Sequence, residues 1–542
     1  MSRLSVFSCL VLLVSTECFA QNRTDRKLIR SLEADIRYLA SDALEGRRTG
    51  TEGEQKAGDF IISFYRKQRI PAYGPDYRHP YTFQRGRALG NTSISVGGQS
   101  MHMGAEVFPF AFSANGEVAG EVLVDVQEQG AIWTVPLYAN ADEAADPHFE
   151  AEKIAWEKAR DAAKNGASGV VFYDSYGSRY APEFNRRSEY DVISIPAAYI
   201  AFNQWQTLTK NDANVIAIQL NIQLVKPEYT GNNIAAFIDN KAPLTVVIGA
   251  HYDHLGHGED GGSLYAGKEP KTHNGADDNA SGTAALMQLA TWAKKSGMKG
   301  YNYMFVHFSG EELGLLGSKA FTWQAGIDST RIAYMINMDM IGRLNDSTHA
   351  LTIGGVGTSP AWAEVVTMAR MDGFKVNTDS AGVGPSDHTS FYNKGIPVLF
   401  FFTGVHPDYH KPDDDAEKIN YAGEAKVIHT IQDIVKALNR APRPRFTPTK
   451  LTSMGKVHFK VTLGIIPDYS FTGEGVRADG VTDGKPASKA GIQTGDIIVQ
   501  LGNDEVKGMQ TYMEALSHQQ KGNRTKVTIL RAGKKMELPI EL

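Results

Sequence analysis

Five short clusters of histidine and carboxylate residues stand between His251 and His410, a stretch that holds nine of the chain's fifteen histidines. Ala250-His251-Tyr252-Asp253, Asp277-Asp278-Asn279, Glu311-Glu312, Asn337-Met338-Asp339 and Tyr409-His410 each follow an apolar run or precede a helical one. A lone His-x-Asp is commonplace as a surface pair. Five clusters at the ends of predicted strands are not, because ligands of an open α/β sheet bind at the carboxyl ends of its strands. Two imidazoles and three carboxylates, without a thiolate, suit a pair of borderline divalent ions, and Zn2+ is the default for open sites of nitrogen and oxygen ligands. Two such ions about 3.5–4 Å apart activate a water and clamp the oxygens of a tetrahedral intermediate. At a strand end adjacent side chains point apart, so Glu312 can ligate while Glu311 faces the water as general base.

The elements that must hold these residues are legible from periodicity. Apolar runs at 244–249, 303–308, 334–338 and 398–402 read as buried strands, and 281–296 reads as a helix with Ala285, Leu286, Leu289 and Ala293 on one face. Strands alternating with helices predict an α/β fold: a mostly parallel mixed sheet sandwiched by helices. Two amphipathic helices precede it, one carrying Leu28, Ile29, Leu32, Ile36 and Leu39, the other spanning about Glu54–Tyr65 before Ile70-Pro71. Short strands and a helix near 150–165 predict an inserted, β-rich domain over 116–225. Residues 440–448 carry three prolines and three arginines without apolar periodicity, the chemistry of a linker. The expected organisation is therefore 1–20 as a signal segment, 21–115 and 226–440 as the two parts of one catalytic domain, 116–225 as the insert, 441–450 as linker and 451–542 as a C-terminal domain.

Composition excludes several classes. At 542 residues and 42% hydrophobic the chain is several globular domains, and 61 acidic against 56 basic residues leave no basic footprint for nucleic acid. Both cysteines, Cys9 and Cys18, lie in a segment with Arg3, an apolar run from Val6 to Val14 and Ala20, which reads as a secretory signal cleaved after Ala20. No later run reaches the roughly 18 apolar residues of a spanning helix. A secreted or periplasmic protein without cysteine follows, its catalysis independent of thiolates.

The stretches GAHYDHLG, GADDNASG, FSGEELGLLGS, INMDMIGR and YHKPDD closely resemble family 28 of the metallopeptidases, the di-zinc aminopeptidases and glutamate carboxypeptidases. The resemblance implies two Zn2+ per chain. It assigns one ion to His251, Asp278 and Asp339 and the other to Asp278, Glu312 and His410, with Asp278 bridging and Asp278-Asn279 joined by a cis peptide bond. It further implies that Asp253 orients the His251 imidazole, that Glu311 shuttles the proton and that Tyr409 steadies the oxyanion. His254, His257, His273 and His406 are expected beside the site, His388 just behind it, and His307 in the core. The insert resembles a protease-associated domain. The C-terminal block resembles a PDZ domain, with Thr462-Leu463-Gly464-Ile465 as a loop able to take a peptide C-terminus.

The resulting expectation is a secreted di-zinc exopeptidase that removes N-terminal residues from peptides. A carboxypeptidase or dipeptidase on the same metals stays open, as an α-carboxylate would need an Arg or Lys clamp and Arg343 lies near Asp339. A non-catalytic peptide-binding scaffold is the third reading, opposed by the filling of every ligand position.

Overall fold

The computed structural model describes residues 25–542 except 148, 189, 210–214, 266, 268, 325–326, 450–460, 468–473 and 483. The expected signal segment lies outside the described residues. The chain forms two compact units, one of residues up to Tyr81 together with Thr230–Leu542, the other Thr82–Tyr229. Among the described residues no helix is long and apolar enough to cross a membrane.

The first unit is built on eight strands: β1 Arg78–Gln84, β2 Glu228–Ile238, β3 Thr245–His251, β4 Asn302–Phe308, β5 Ile332–Met338, β6 Ala350–Gly354, β7 Lys375–Thr378 and β8 Val398–Phe402. Their order across the sheet is β1-β2-β4-β3-β5-β8-β6-β7. β3 runs parallel to both β4 and β5, and β5 parallel to β8, while β2 against β4 and β6 against β8 are antiparallel. Every residue of β3, β4, β5 and β8 is buried, as a sheet covered on both faces demands.

The covering helices are α1 over residues 25–39, α2 Glu52–Lys67, α3 Gly282–Ser296, α4 Trp362–Met371 and α5 Tyr421–Leu438. α3 buries Ala285, Leu286, Leu289 and Ala293 against the sheet. It stops where Gly297 turns into the left-handed region at φ 70°, a conformation that costs glycine little.

The second unit holds two four-stranded sheets and the helix Ala151–Lys164, which buries Ala155, Ala159 and Ala162. It takes in residues 82–115 as well as the stretch read as the insert, because Ser93–Val96 pairs antiparallel with Val215–Ile222. The stretch read as linker lies against the catalytic part. The Arg443 guanidinium donates to the Ile332 carbonyl at 2.8 Å, the Phe446 ring packs 5.5 Å from that of Tyr392, and the Thr447 amide donates to Thr358 O at 2.8 Å.

The C-terminal residues form a five-strand antiparallel path with the short helices Pro486–Lys489 and Met509–Ser517. Leu463 is buried at its start, and Gly464 is left-handed at φ 76°. An added Cβ on Gly464 would stand 2.2 Å from that of Lys485.

Candidate metal centre

Parallel strands deliver the chemistry to one edge. β3 ends on His251, β4 leads through Ser309-Gly310 to Glu311-Glu312, β5 hands over to Asp339, and the loop after β8 carries His410. Asp278 sits in the turn that enters α3, where the Asp278-Asn279 peptide bond is cis. The Asn279 amide holds that turn: its oxygen accepts from Gly282 N at 2.9 Å and Met340 N at 3.2 Å, and its nitrogen donates to Met338 O at 3.0 Å.

The five residues converge as two groups joined by one carboxylate. His251 Nε2 stands 3.4 Å from Asp278 Oδ1 and 3.2 Å from Asp339 Oδ1. His410 Nε2 stands 3.2 Å from Asp278 Oδ2 and 3.3 Å from Glu312 Oε2. Atoms about 2.0–2.1 Å from one tetrahedral ion stand roughly 3.3 Å apart, so both sets have the spacing of ligands around a small divalent cation. The imidazoles are oriented for it from behind. His410 Nδ1 is 2.8 Å from the Gly262 carbonyl and His251 Nδ1 is 3.2 Å from the Asp253 carbonyl, so each proton sits on Nδ1 and leaves Nε2 facing the carboxylates.

Asp253 meets the His251 imidazole more closely through its backbone than through its side chain. Its carboxylate lies 3.7 Å from His251 Nδ1, beyond a good hydrogen bond, and the backbone carbonyl takes that role. The carboxylate instead accepts from the Glu311 amide at 3.2 Å and from the Thr49 hydroxyl at 2.9 Å, so it fixes the strand end that carries Glu311.

His254 is buried beside the second group, with Asp278 and Glu312 in reach of one ion. Its Nδ1 lies 2.8 Å from Glu312 Oε1 and 3.9 Å from Asp278 Oδ2. The first distance is that of a hydrogen bond and shorter than the spacing of the other donor pairs, so His254 fits a donor that aims Glu312.

Electrostatics separate the adjacent glutamates. Burial drives the Glu311 carboxyl well above its ordinary range, and the carboxylates of Asp339, Glu312 and Asp387 add to this against the pull of His251. Burial acts in the same sense on Glu312, yet the imidazoles of His410 and His254 hold it well below. Burial would lower both His251 and His410, but the surrounding carboxylates raise them well above an ordinary histidine. A site this rich in buried carboxylates is built for cations.

Tyr409 stacks on the His410 ring with centroids 3.8 Å apart. His388 is buried and stacks on Phe400 at 4.7 Å, while His307 is buried in β4 with Nε2 2.7 Å from the Tyr65 hydroxyl. His273 pairs with Ser263 at 2.7 Å, and His406 lies 3.4 Å from Asp277. Arg343 is committed to Asp408 at 2.9 Å. Sequence reading missed the support from far upstream. Thr49 holds Asp253, and Glu54 accepts from the Ser309 hydroxyl, from Gly50 N at 2.7 Å and from Tyr252 OH at 3.2 Å. It also missed Asp414, whose carboxylate accepts from the amides of Asp277 and Asp278 at 2.9 and 3.1 Å.

Residues 233–435 match the model of peptidase family M28, and residues 454–542 match that of the PDZ domain. The aminopeptidase YwaD of Bacillus subtilis (strain 168) is 26% identical over 401 residues, which cover 70% of this chain and 78% of the relative. A probable leucine aminopeptidase of Trichophyton verrucosum (strain HKI 0517) is 28% identical over 275 residues, 48% of this chain and 68% of the relative. Among solved structures, the zinc aminopeptidase BSAP from Bacillus subtilis aligns over 78% of this chain and 98% of its own, with 22% identity and a TM-score of 0.45.

Proposed function

We propose that this chain, whose residues 233–435 belong to peptidase family M28, is a di-zinc aminopeptidase that hydrolyses the N-terminal bond of peptides. The observation that carries the reading is the pair of donor groups sharing Asp278, with an unligated Glu311 on the neighbouring strand end. His251, Asp278 and Asp339 would hold one ion, and Asp278, Glu312 and His410 the other. Zinc bound there would supply Lewis acidity toward water and the scissile carbonyl. Everything else falls to side chains of the chain itself. Glu311, raised in basicity by burial and by its acidic neighbours, takes a proton from the attacking water and returns it to the leaving amine. Asp253 keeps Glu311 in place through its amide, His254 keeps Glu312 turned toward His410, and Tyr409 is the candidate for steadying the oxyanion.

The choice of aminopeptidase over carboxypeptidase rests on charge. An α-carboxylate needs a free cation, and the arginines near the ligands hold partners of the chain itself: Arg343 Nη2 pairs with Asp408, Arg48 with Asp260, and Arg47 with backbone carbonyls. A substrate ammonium instead meets an acidic site. The relatives named above carry the same activity in their names. With residues 1–20 read as an export signal, the site of action is the periplasm or the medium. The inserted unit is proposed as a protease-associated domain, and the C-terminal domain as a groove for a peptide C-terminus at Thr462–Ile465.

The test is metal analysis of the purified protein together with hydrolysis of amino-acid arylamides and of N-blocked peptides. Two zinc ions per chain and cleavage restricted to free-amine substrates are expected. Cleavage of blocked peptides alone would overturn the aminopeptidase reading.

A further inference from the structure

Arg47 belongs to none of the motifs around the metal groups and lies far outside the matched family segment, yet it is bonded to the backbone beside both His251 and Asp278. It is 1% exposed and sits in the left-handed region at φ 49°. Its partners are all carbonyl oxygens, three of them flanking metal-ligand residues and the fourth at the end of α1. Nε donates to Tyr252 O at 2.8 Å, between His251 and Asp253; Nη1 donates to Asn274 O at 2.7 Å and also to Leu39 O; and Nη2 donates to Gly275 O at 2.9 Å. Gly275 opens the turn to Asp278.

The backbone around Arg47 is held on the same side. Its carbonyl accepts from His254 N at 3.2 Å, and Gly46 O accepts from Gly256 N at 3.0 Å. A Cβ at Gly46 would stand 2.5 Å from Gly256 O and 2.7 Å from His273 O, so this approach requires glycine.

A planar, five-donor guanidinium is suited to spanning several fixed acceptors, and an ammonium is not. Such a cation beside metal sites has two opposing effects. Its charge repels a bound dication, while its hydrogen bonds hold the loop carrying His251 at a fixed distance from the loop carrying Asp278. We propose that Arg47 is a positioning residue of the metal centre whose clamp outweighs its repulsion, so that zinc affinity depends on it although it touches neither metal ligand nor substrate. The proposal rests on the di-zinc reading given above. Burial pushes the guanidinium down to about 10, against Asp278, Asp253, Asp414 and Glu312, so it stays charged at neutral pH.

The experiment compares wild type, Arg47→Lys and Arg47→Gln in the full chain. Zinc affinity is read by chelator competition and by the rise in Tm that zinc produces, with circular dichroism as the control of fold. Ligand-orienting groups are typically worth about 10- to 100-fold in metal affinity. Zinc should bind at least tenfold more weakly to both variants, and excess zinc should restore kcat with little change in KM. Arg47→Gln separates the two effects, because loss of charge alone would tighten zinc binding. A folded variant that binds zinc as tightly as wild type, or more tightly, overturns the proposal. So does a variant that fails to fold even in excess zinc, which would make Arg47 a residue of the fold and nothing more. A wild-type chain that takes up no zinc would overturn the di-zinc reading itself, a different result from a loaded wild type indifferent to Arg47.

Discussion

Replacing Glu311 and Glu312 in turn by glutamine separates proton transfer from metal binding, because the two carboxyls sit side by side in opposite electrostatic settings. Glutamine at 311 is nearly isosteric and keeps the backbone amide that Asp253 accepts at 3.2 Å, so the strand end stays in place. What goes is the basic oxygen, and a positioned general base contributes on the order of 10² to 10⁴ in rate, about 3 to 5 kcal/mol of barrier. Glu311 is in neither of the donor groups, so zinc content should not fall. Glutamine at 312 can still accept from His254 through one oxygen, but its nitrogen has no lone pair to offer toward His410, 3.3 Å from Glu312 Oε2 in the native chain. The Glu312→Gln protein should therefore lose about one zinc as well as turnover. The assay is kcat on an amino-acid arylamide with zinc in excess, beside metal content by mass spectrometry after gel filtration. A Glu311→Gln enzyme within a few-fold of wild-type kcat would refute the assignment of the base, and one that loses zinc would refute the division of labour.

Thr49→Val removes the hydroxyl that reaches Asp253 at 2.9 Å; a lost buried hydrogen bond costs about 1–3 kcal/mol of stability, and kcat should fall with zinc retained, checked by urea melts and metal analysis. His307 is pushed down to about 3 by burial against 6.5 in the unfolded chain, so the unfolded state binds the extra proton and stability falls as pH drops from about 6.5 toward 3. Metal-free wild type should lose about 3 kcal/mol from this group between pH 7 and 4.5, and His307→Gln should show a correspondingly flatter dependence in urea melts. Ending the chain after Thr449 preserves the bonds of Thr449 to the Tyr392 hydroxyl, at 2.9 and 3.0 Å, and should leave zinc content and kcat/KM on a dipeptide arylamide unchanged. On longer peptides KM should rise only for those with a free C-terminus able to bridge to the C-terminal groove, which a length ladder with free and amidated ends measures.

Much of this site was legible in the chain because ligand chemistry restricts residue types. Strands predicted at 303–308 and 398–402 are Asn302–Phe308 and Val398–Phe402, and the helix predicted over 281–296 is Gly282–Ser296, since fully buried runs and small-residue faces are local signals. What was not legible is contact across sequence distance. Nothing local in Arg47-Arg48-Thr49 indicates that it braces loops some two hundred residues away, and an arginine that bonds only carbonyls leaves no partner charge to look for. Residues 82–115 join the second unit through pairing of Ser93–Val96 with a strand that follows more than a hundred residues later. Phe446 reads as one aromatic in a Pro/Arg tract, and the ring of Tyr392 beside it, with the bonds of Arg443 and Thr447 to the catalytic part, reveals a docked segment.

β1 and β2, the strands by which the chain leaves the first unit and re-enters it, are neighbours at one edge of its sheet. An insertion that departs and returns at adjacent positions can be exchanged for a short turn without re-registering any other strand, so the peptidase sheet behaves as a socket for interchangeable modules. The socket has one fixed pin. Tyr81, the last residue before the chain departs, places its hydroxyl 3.1 Å from Ser309 Oγ, two residues before Glu311, and a Cβ at Gly231 just after the return would stand 2.5 Å from the same phenol. Natural or engineered swaps of the module can therefore be sought freely between Thr82 and Tyr229, while the Tyr81–Gly231 junction has to be carried over intact.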